Sequence, residues 1–119
     1  MKQVFSVLAL LLCLQLPAQQ GEKRQGKADP SKPYQTVEAA CGKCMLGLPG
    51  KDCDLAVRIQ GKAYYVDGAH IDSLGDAHAK DGFCNSIRNA KVQGELINNR
   101  FAVQYIELLP AKKGSKKQE

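Results

Sequence analysis

Hydrophobic and polar positions alternate with a period of two through most of the chain from residue 36 onward. In TVEAAC the alternation places Val37, Ala39 and Cys41 on one strand face. DLAVRI repeats the pattern, with Leu55, Val57 and Ile59 on one side and Arg58 on the other. Cys53 shares the parity of Leu55 and is expected to face the same way. Gln60-Gly61 forms a tight-turn pair, and KAYYVDG returns as the partner strand. In KVQGELI, Val92 and Leu96 are in phase, and Gly94 between them marks a bulge or a sharp bend. Asn98-Asn99 favours a hairpin turn, because asparagine tolerates positive φ. FAVQYIELL then places Phe101, Val103 and Tyr105 on one face, and Ala102, Ile106 and Leu108 on the other.

The stretch AHIDSLGDAHAKDGFCNSIRNA breaks this rhythm. Phe83 and Ile87 are four apart and Cys84 and Ile87 three apart, which predicts a short helix with Asp81 as N-cap. Asp72 is placed to cap an earlier turn. Three strands, a short helix and two strands make a mainly β domain. The order is that of a small five-stranded OB-like barrel with one short helix between strands 3 and 4. A small open α+β sheet is the alternative. Function does not follow from either fold. Tyr64, Tyr65, Phe101 and Tyr105 are candidates for a stacking face, but aromatics at strand spacing read first as core.

The two ends differ from this domain. MKQVFSVLALLLCLQLPAQQG has a positive start at Lys2, an apolar run from Val4 to Leu16, and a small residue at Ala18 placed for cleavage. The run is shorter than the roughly 20 residues that span a bilayer. Residues 1–18 are therefore expected to be a signal peptide, leaving no membrane span, and the chain to be exported, periplasmic or secreted. Cys13 raises lipidation, but three leucines precede it where lipid attachment calls for a small residue. Residues 19–35 are polar with Gly and Pro and predict a disordered linker; residues 110–119 predict a basic disordered tail. The formal charge is +5, yet between Thr36 and Leu109 eight basic residues face nine acidic ones. The basicity lies in the tails, so no nucleic-acid partner is expected. Envelope proteins are the expected class of partner.

Candidate chemistry concentrates in cysteines. Cys41, Cys44 and Cys53 follow a C-x2-C-x8-C spacing in a glycine-rich loop, and Cys84 comes after a long interval. A domain this small often needs staples. One reading is two disulfides, Cys41–Cys53 with Cys44–Cys84, the second tying the helix to the barrel. Another is a soft-metal site for zinc or copper, held by Cys41, Cys44, Cys53 and Cys84, with His78 able to replace one of them. Asp76 or Asp81 is then placed to orient its ring. A third is a redox pair, although C-x-x-C here follows a strand and no thioredoxin-like pattern surrounds it. His70 reads as a loop residue. Ser73 and Ser86 lie in no nucleophile elbow, and no loop is built to cradle phosphate. No catalytic residues are assigned, and a binding module is expected in preference to an enzyme.

VEAACGKCMLGLPGKDCDLAVRIQGKAYYVDG and GDAHAKDGFCNSIRNAKVQGELINNRF together resemble a family of small exported bacterial proteins of unknown function. The resemblance covers roughly Val37 to Leu109. Its marks are the C-G-x-C opening, the G-K-x-C-D-L-A-V-R strand, and D-A-H-A followed by G-F-C. It implies that Cys41, Cys44, Cys53, His78 and Cys84 belong together, and it brings no activity. The family pattern places a histidine ahead of G-D-A-H where this chain has Leu74. The leading expectation is thus an exported binding module with a Cys/His end that is disulfide-stapled or metal-binding. The alternatives are a thiol–disulfide or metal-transfer accessory of the envelope, and a ligand-binding barrel with purely structural disulfides.

Overall fold

The computed structural model describes residues 23–111. The expected signal peptide with Cys13, the start of the linker and the end of the basic tail lie outside them. The elements run β1 (Arg24–Gly26), β2 (Gln35–Cys41), α1 (Gly42–Met45), β3 (Leu55–Ile59), β4 (Lys62–Asp67), β5 (Arg88–Ile97) and β6 (Arg100–Leu108). No helix among the described residues is long and apolar enough to cross a membrane.

Strands β2 to β6 close into a mixed five-stranded barrel. β2, β3 and β4 form an antiparallel meander, β4 meets β6 in parallel, and β5 joins β6 back to β2. This is the OB-like arrangement expected from element order. The two-residue turns are where the sequence put them. Gln60 and Gly61 both take positive φ, as do Asn98 and Asn99. That mirror-image turn matches the twist of the strands it joins. The core inside the barrel includes Val37, Ala39, Cys41, Leu55, Val57, Val92, Phe101 and Ile106.

Gly94 does mark an irregularity, and it changes which residues face inward. Gln93 pairs with Tyr105 and Gly94 with Val103, leaving Gln104 between the paired positions. Alternation along β6 therefore resets at Gln104. Phe101 and Ile106, expected on opposite faces, both enter the core. Tyr105 instead meets the ring of Tyr34 edge-on at 5.9 Å. Past Val92 strand β5 no longer pairs with β2, and Leu96 is 49% exposed although Val92 is buried. A side chain on Gly94 would meet Phe101 Cζ at 2.8 Å.

Two expectations are corrected. The short helix does not lie between the third and fourth barrel strands; it is α1, inside the cysteine loop. Residues 68–87 form successive turns instead. Short polar side chains there bond to nearby backbone and displace helical bonding. Asp72 Oδ1 accepts from Ala77 N, Asp76 Oδ1 from His78 N, and Asn85 Nδ2 donates to the carbonyls of His78 and Ala79. Ile71, Leu74, Ala77 and Phe83 pin the turns to the core, whereas Ile87 is exposed. The second correction concerns the stretch read as linker. β1 lies within it and pairs with β6 at Glu107, Ile106 and Tyr105. β4 covers β6 only at Phe101 and Ala102. The edge beyond it has backbone groups that need partners, and β1 supplies them. Buried Gln93 then bonds Asp29 N, Asp29 O and Lys32 O, each at 2.8–2.9 Å.

Candidate metal centre

Three backbone hydrogen bonds assemble the cysteine end of the barrel. Cys41 ends β2 opposite Leu55 of β3. Gly42 N donates to Asp54 O at 2.9 Å, which closes the loop 42–54 and returns Cys53 beside Cys41. Cys41 N donates to Phe83 O at 2.9 Å, which brings in Cys84. Phe83 is itself a core residue, so burial of its ring positions the next sulfur. A further bond from Cys84 N to Ala77 O at 2.9 Å fixes the turn that carries it.

The result is a group that could hold a metal ion: the sulfurs of Cys41, Cys53 and Cys84 all lie within 4.8 Å of one another. Cys44, on α1, brings its sulfur to 3.6 Å from that of Cys53. All four are free thiols. They differ in access. Cys41 is fully buried, Cys53 and Cys84 are half-buried, and Cys44 is exposed.

Three of the thiols differ in electrostatic setting. Burial pushes the Cys41 thiol up, but the backbone N–H groups of Cys44 and Lys43 and the thiols of Cys44 and Cys53 bond to its sulfur. Together they outweigh burial and hold it below the ordinary thiol value. The bond from Cys44 N to Cys41 Sγ is 3.4 Å long, so Cys41 also serves as N-cap of α1. The Cys44 thiol is pushed up to about 11, first by its hydrogen bond to Cys41 and then by the one to Cys53. The Cys84 thiol is pushed up to about 12, first by burial and then by its bond to Cys53. Of these three, Cys41 gives up its proton most readily, and Cys44 and Cys84 hold theirs more tightly than an ordinary thiol.

His78 is exposed and is not part of the group. Asp76 caps its backbone N–H. His70 is exposed as well, and its Nδ1 accepts from Asp72 N at 3.1 Å. Leu74, at the position where the resemblance implies a histidine, is a core residue at 3% exposure. The site also depends on residues to which the sequence reading gave no role there. Tyr65 donates its hydroxyl to Pro49 O at 2.7 Å and lays its ring against Gly42. A methyl group on Gly42 would meet that ring at 2.6 Å and Leu48 Cδ1 at 3.1 Å. Arg88, 6% exposed, donates to Asp81 O at 2.8 Å and Leu109 O at 3.0 Å. It ties the Cys84 turn to the end of β6. The only local signal for Tyr65 was its place in an aromatic pair, and for Arg88 there was none.

A family model covering residues 35–109 matches the chain, and it describes a family of unknown function (DUF6370). No curated protein and no solved structure matches. The matched stretch takes in all five barrel strands and all four cysteines of the site. The chain belongs to this family of unknown function.

Proposed function

We propose that this protein is an exported binding module whose cysteine end takes up one soft metal ion, zinc or cuprous copper. The observation that carries the reading is the convergence of four sulfurs from three separate parts of the chain on one end of the barrel. Soft thiolates select these ions. A zinc–sulfur bond of about 2.3 Å sets the edge of a four-sulfur tetrahedron at about 3.8 Å. The separation of Cys44 from Cys53, 3.6 Å, suits such an edge. Cys41, Cys53 and Cys84 would supply the inner ligands and Cys44 the outer one. Disulfide pairing of the same sulfurs, Cys41–Cys53 with Cys44–Cys84, is the competing state in an oxidising compartment.

Intact mass under native and denaturing conditions separates the two. The reduced full chain, incubated with zinc or with cuprous ion, is expected to carry one ion with all thiols reduced. Retention of no ion by the reduced chain would overturn the reading. If the chain isolated from the cell envelope lacks about 4 Da and takes up no metal, the cysteines are two staples. Export is tested by fusing residues 1–20 to a reporter, and retention of the fusion in the cytoplasm counts against it.

A further inference from the structure

We infer that Cys44 is the sulfur through which the ion enters and leaves, so that the site exchanges metal with a thiol-bearing carrier; this rests on the metal reading above. The four sulfurs are graded by access. Cys41, the last residue of β2, is buried, and Cys53 and Cys84 are half-covered. Cys44 alone of the four is exposed, on the one-turn helix α1. Its sulfur lies 3.6 Å from Cys53, within the reach of a single shared ion. The surrounding loop is held by the bond of the Tyr65 hydroxyl to Pro49 O and of Lys43 Nζ to Lys51 O. A methyl group on Gly47, which takes φ +71°, would meet nothing within 4 Å. A carrier can therefore approach Cys44 while the inner three sulfurs keep their places.

The transfer balances without any redox step. The ion, held by a carrier thiolate, forms a bond to Cys44 sulfur, whose proton goes to solvent. The same ion then bonds Cys53, and then Cys41 and Cys84, each sulfur that is still a thiol giving its proton to solvent as its bond forms. The metal–sulfur bond to the carrier breaks, and the carrier thiolate takes up a proton. Release runs the same steps backward. Each thiolate keeps its electron pair on sulfur, and the ion keeps its charge.

Cys44→Ser and Cys44→Ala in the full chain test this, because both keep the Cys44 N–H that bonds Cys41. Cuprous ion is offered in two forms, bound to dithiothreitol or held weakly by acetonitrile. Loading is followed by cuprous–thiolate absorbance, and the ions retained are counted by native mass. Both variants are expected to hold one ion on Cys41, Cys53 and Cys84, more weakly than the unsubstituted chain, and to lose less speed in loading from acetonitrile than from dithiothreitol. From dithiothreitol they are expected to load about tenfold slower or worse, the scale on which association rates vary within one interface. Wild-type loading from dithiothreitol by either variant would overturn the inference. Failure to load from either source, or equal slowing from both, would also overturn it, by making Cys44 a holding ligand and nothing more. If the unsubstituted chain takes up no ion from either source, the metal reading itself fails, and the inference falls with it.

Discussion

Cys84 and His78 sit six residues apart in the same run of turns, yet only the sulfur joins the site. Phe83 packs into the core and its carbonyl bonds Cys41 N, so Cys84 is carried inward. Cys84→Ser is therefore expected to abolish retention of the ion, whereas His78→Ala is expected to leave stoichiometry and affinity unchanged. Native mass with a competing chelator measures both. Tyr105 supplies a pH dependence independent of the sulfurs. Burial, and then its hydrogen bond to Glu107, push its hydroxyl above the ordinary value of 10.0. A folded pKa above the unfolded one means that the folded chain holds this proton more tightly. The contribution is complete below pH 10 and is lost as pH rises through the folded value. Stability in denaturant titrations is expected to fall across that alkaline window, and Tyr105→Phe is expected to flatten the fall.

At the scale of elements, the loop between β2 and β3 is held by packing as much as by its own turns. Gly42 leaves room for the ring of Tyr65, which braces the loop through Pro49. Gly42→Ala puts a methyl group into that space and is expected to destabilise the domain by about 1–3 kcal/mol. It is also expected to weaken metal retention, because the loop carries Cys44 and Cys53. The turns 68–87 depend on Arg88 in the same way. Arg88→Ala leaves the carbonyls of Asp81 and Leu109 without their buried donors, at an expected cost of about 2–4 kcal/mol. Denaturant midpoints measure both substitutions. The strand pattern of this region was legible in the residues: β2 to β6 fall where alternation placed them, and both asparagine and glutamine–glycine turns formed. The helix was misplaced because a spacing of three or four apolar residues also suits turns anchored at intervals to a core. Phe83 is buried and Ile87 is not, so those two positions do not make one helical face.

For the whole molecule, the proposed metal site would link binding to folding, since the four sulfurs come from the end of β2, the loop 42–54 and the turns before β5. An ion that binds only this arrangement stabilises it, by about 2.7 kcal/mol at a hundredfold excess over its Kd. The reduced chain is expected to show a higher Tm with zinc than with a chelator, and a scan showing no difference would count against a folded site. What the sequence by itself determined is local: the pleat imposes a period of two, and φ preferences assign the turn residues. These forces act between neighbours in the chain, so five strands, two hairpins and the irregularity at Gly94 could be read directly. The tertiary structure decided the rest. Passage of Phe101 and Ile106 to the same side followed from the unpaired Gln104, whose position depends on how β5 and β6 align. Pairing of β1 followed from the length of β6 that β4 leaves uncovered. Gathering of Cys84 with Cys41 and Cys53 followed from one backbone bond between residues 41 and 83. No spacing rule within a segment encodes that bond, because it forms only when the core closes around Phe83.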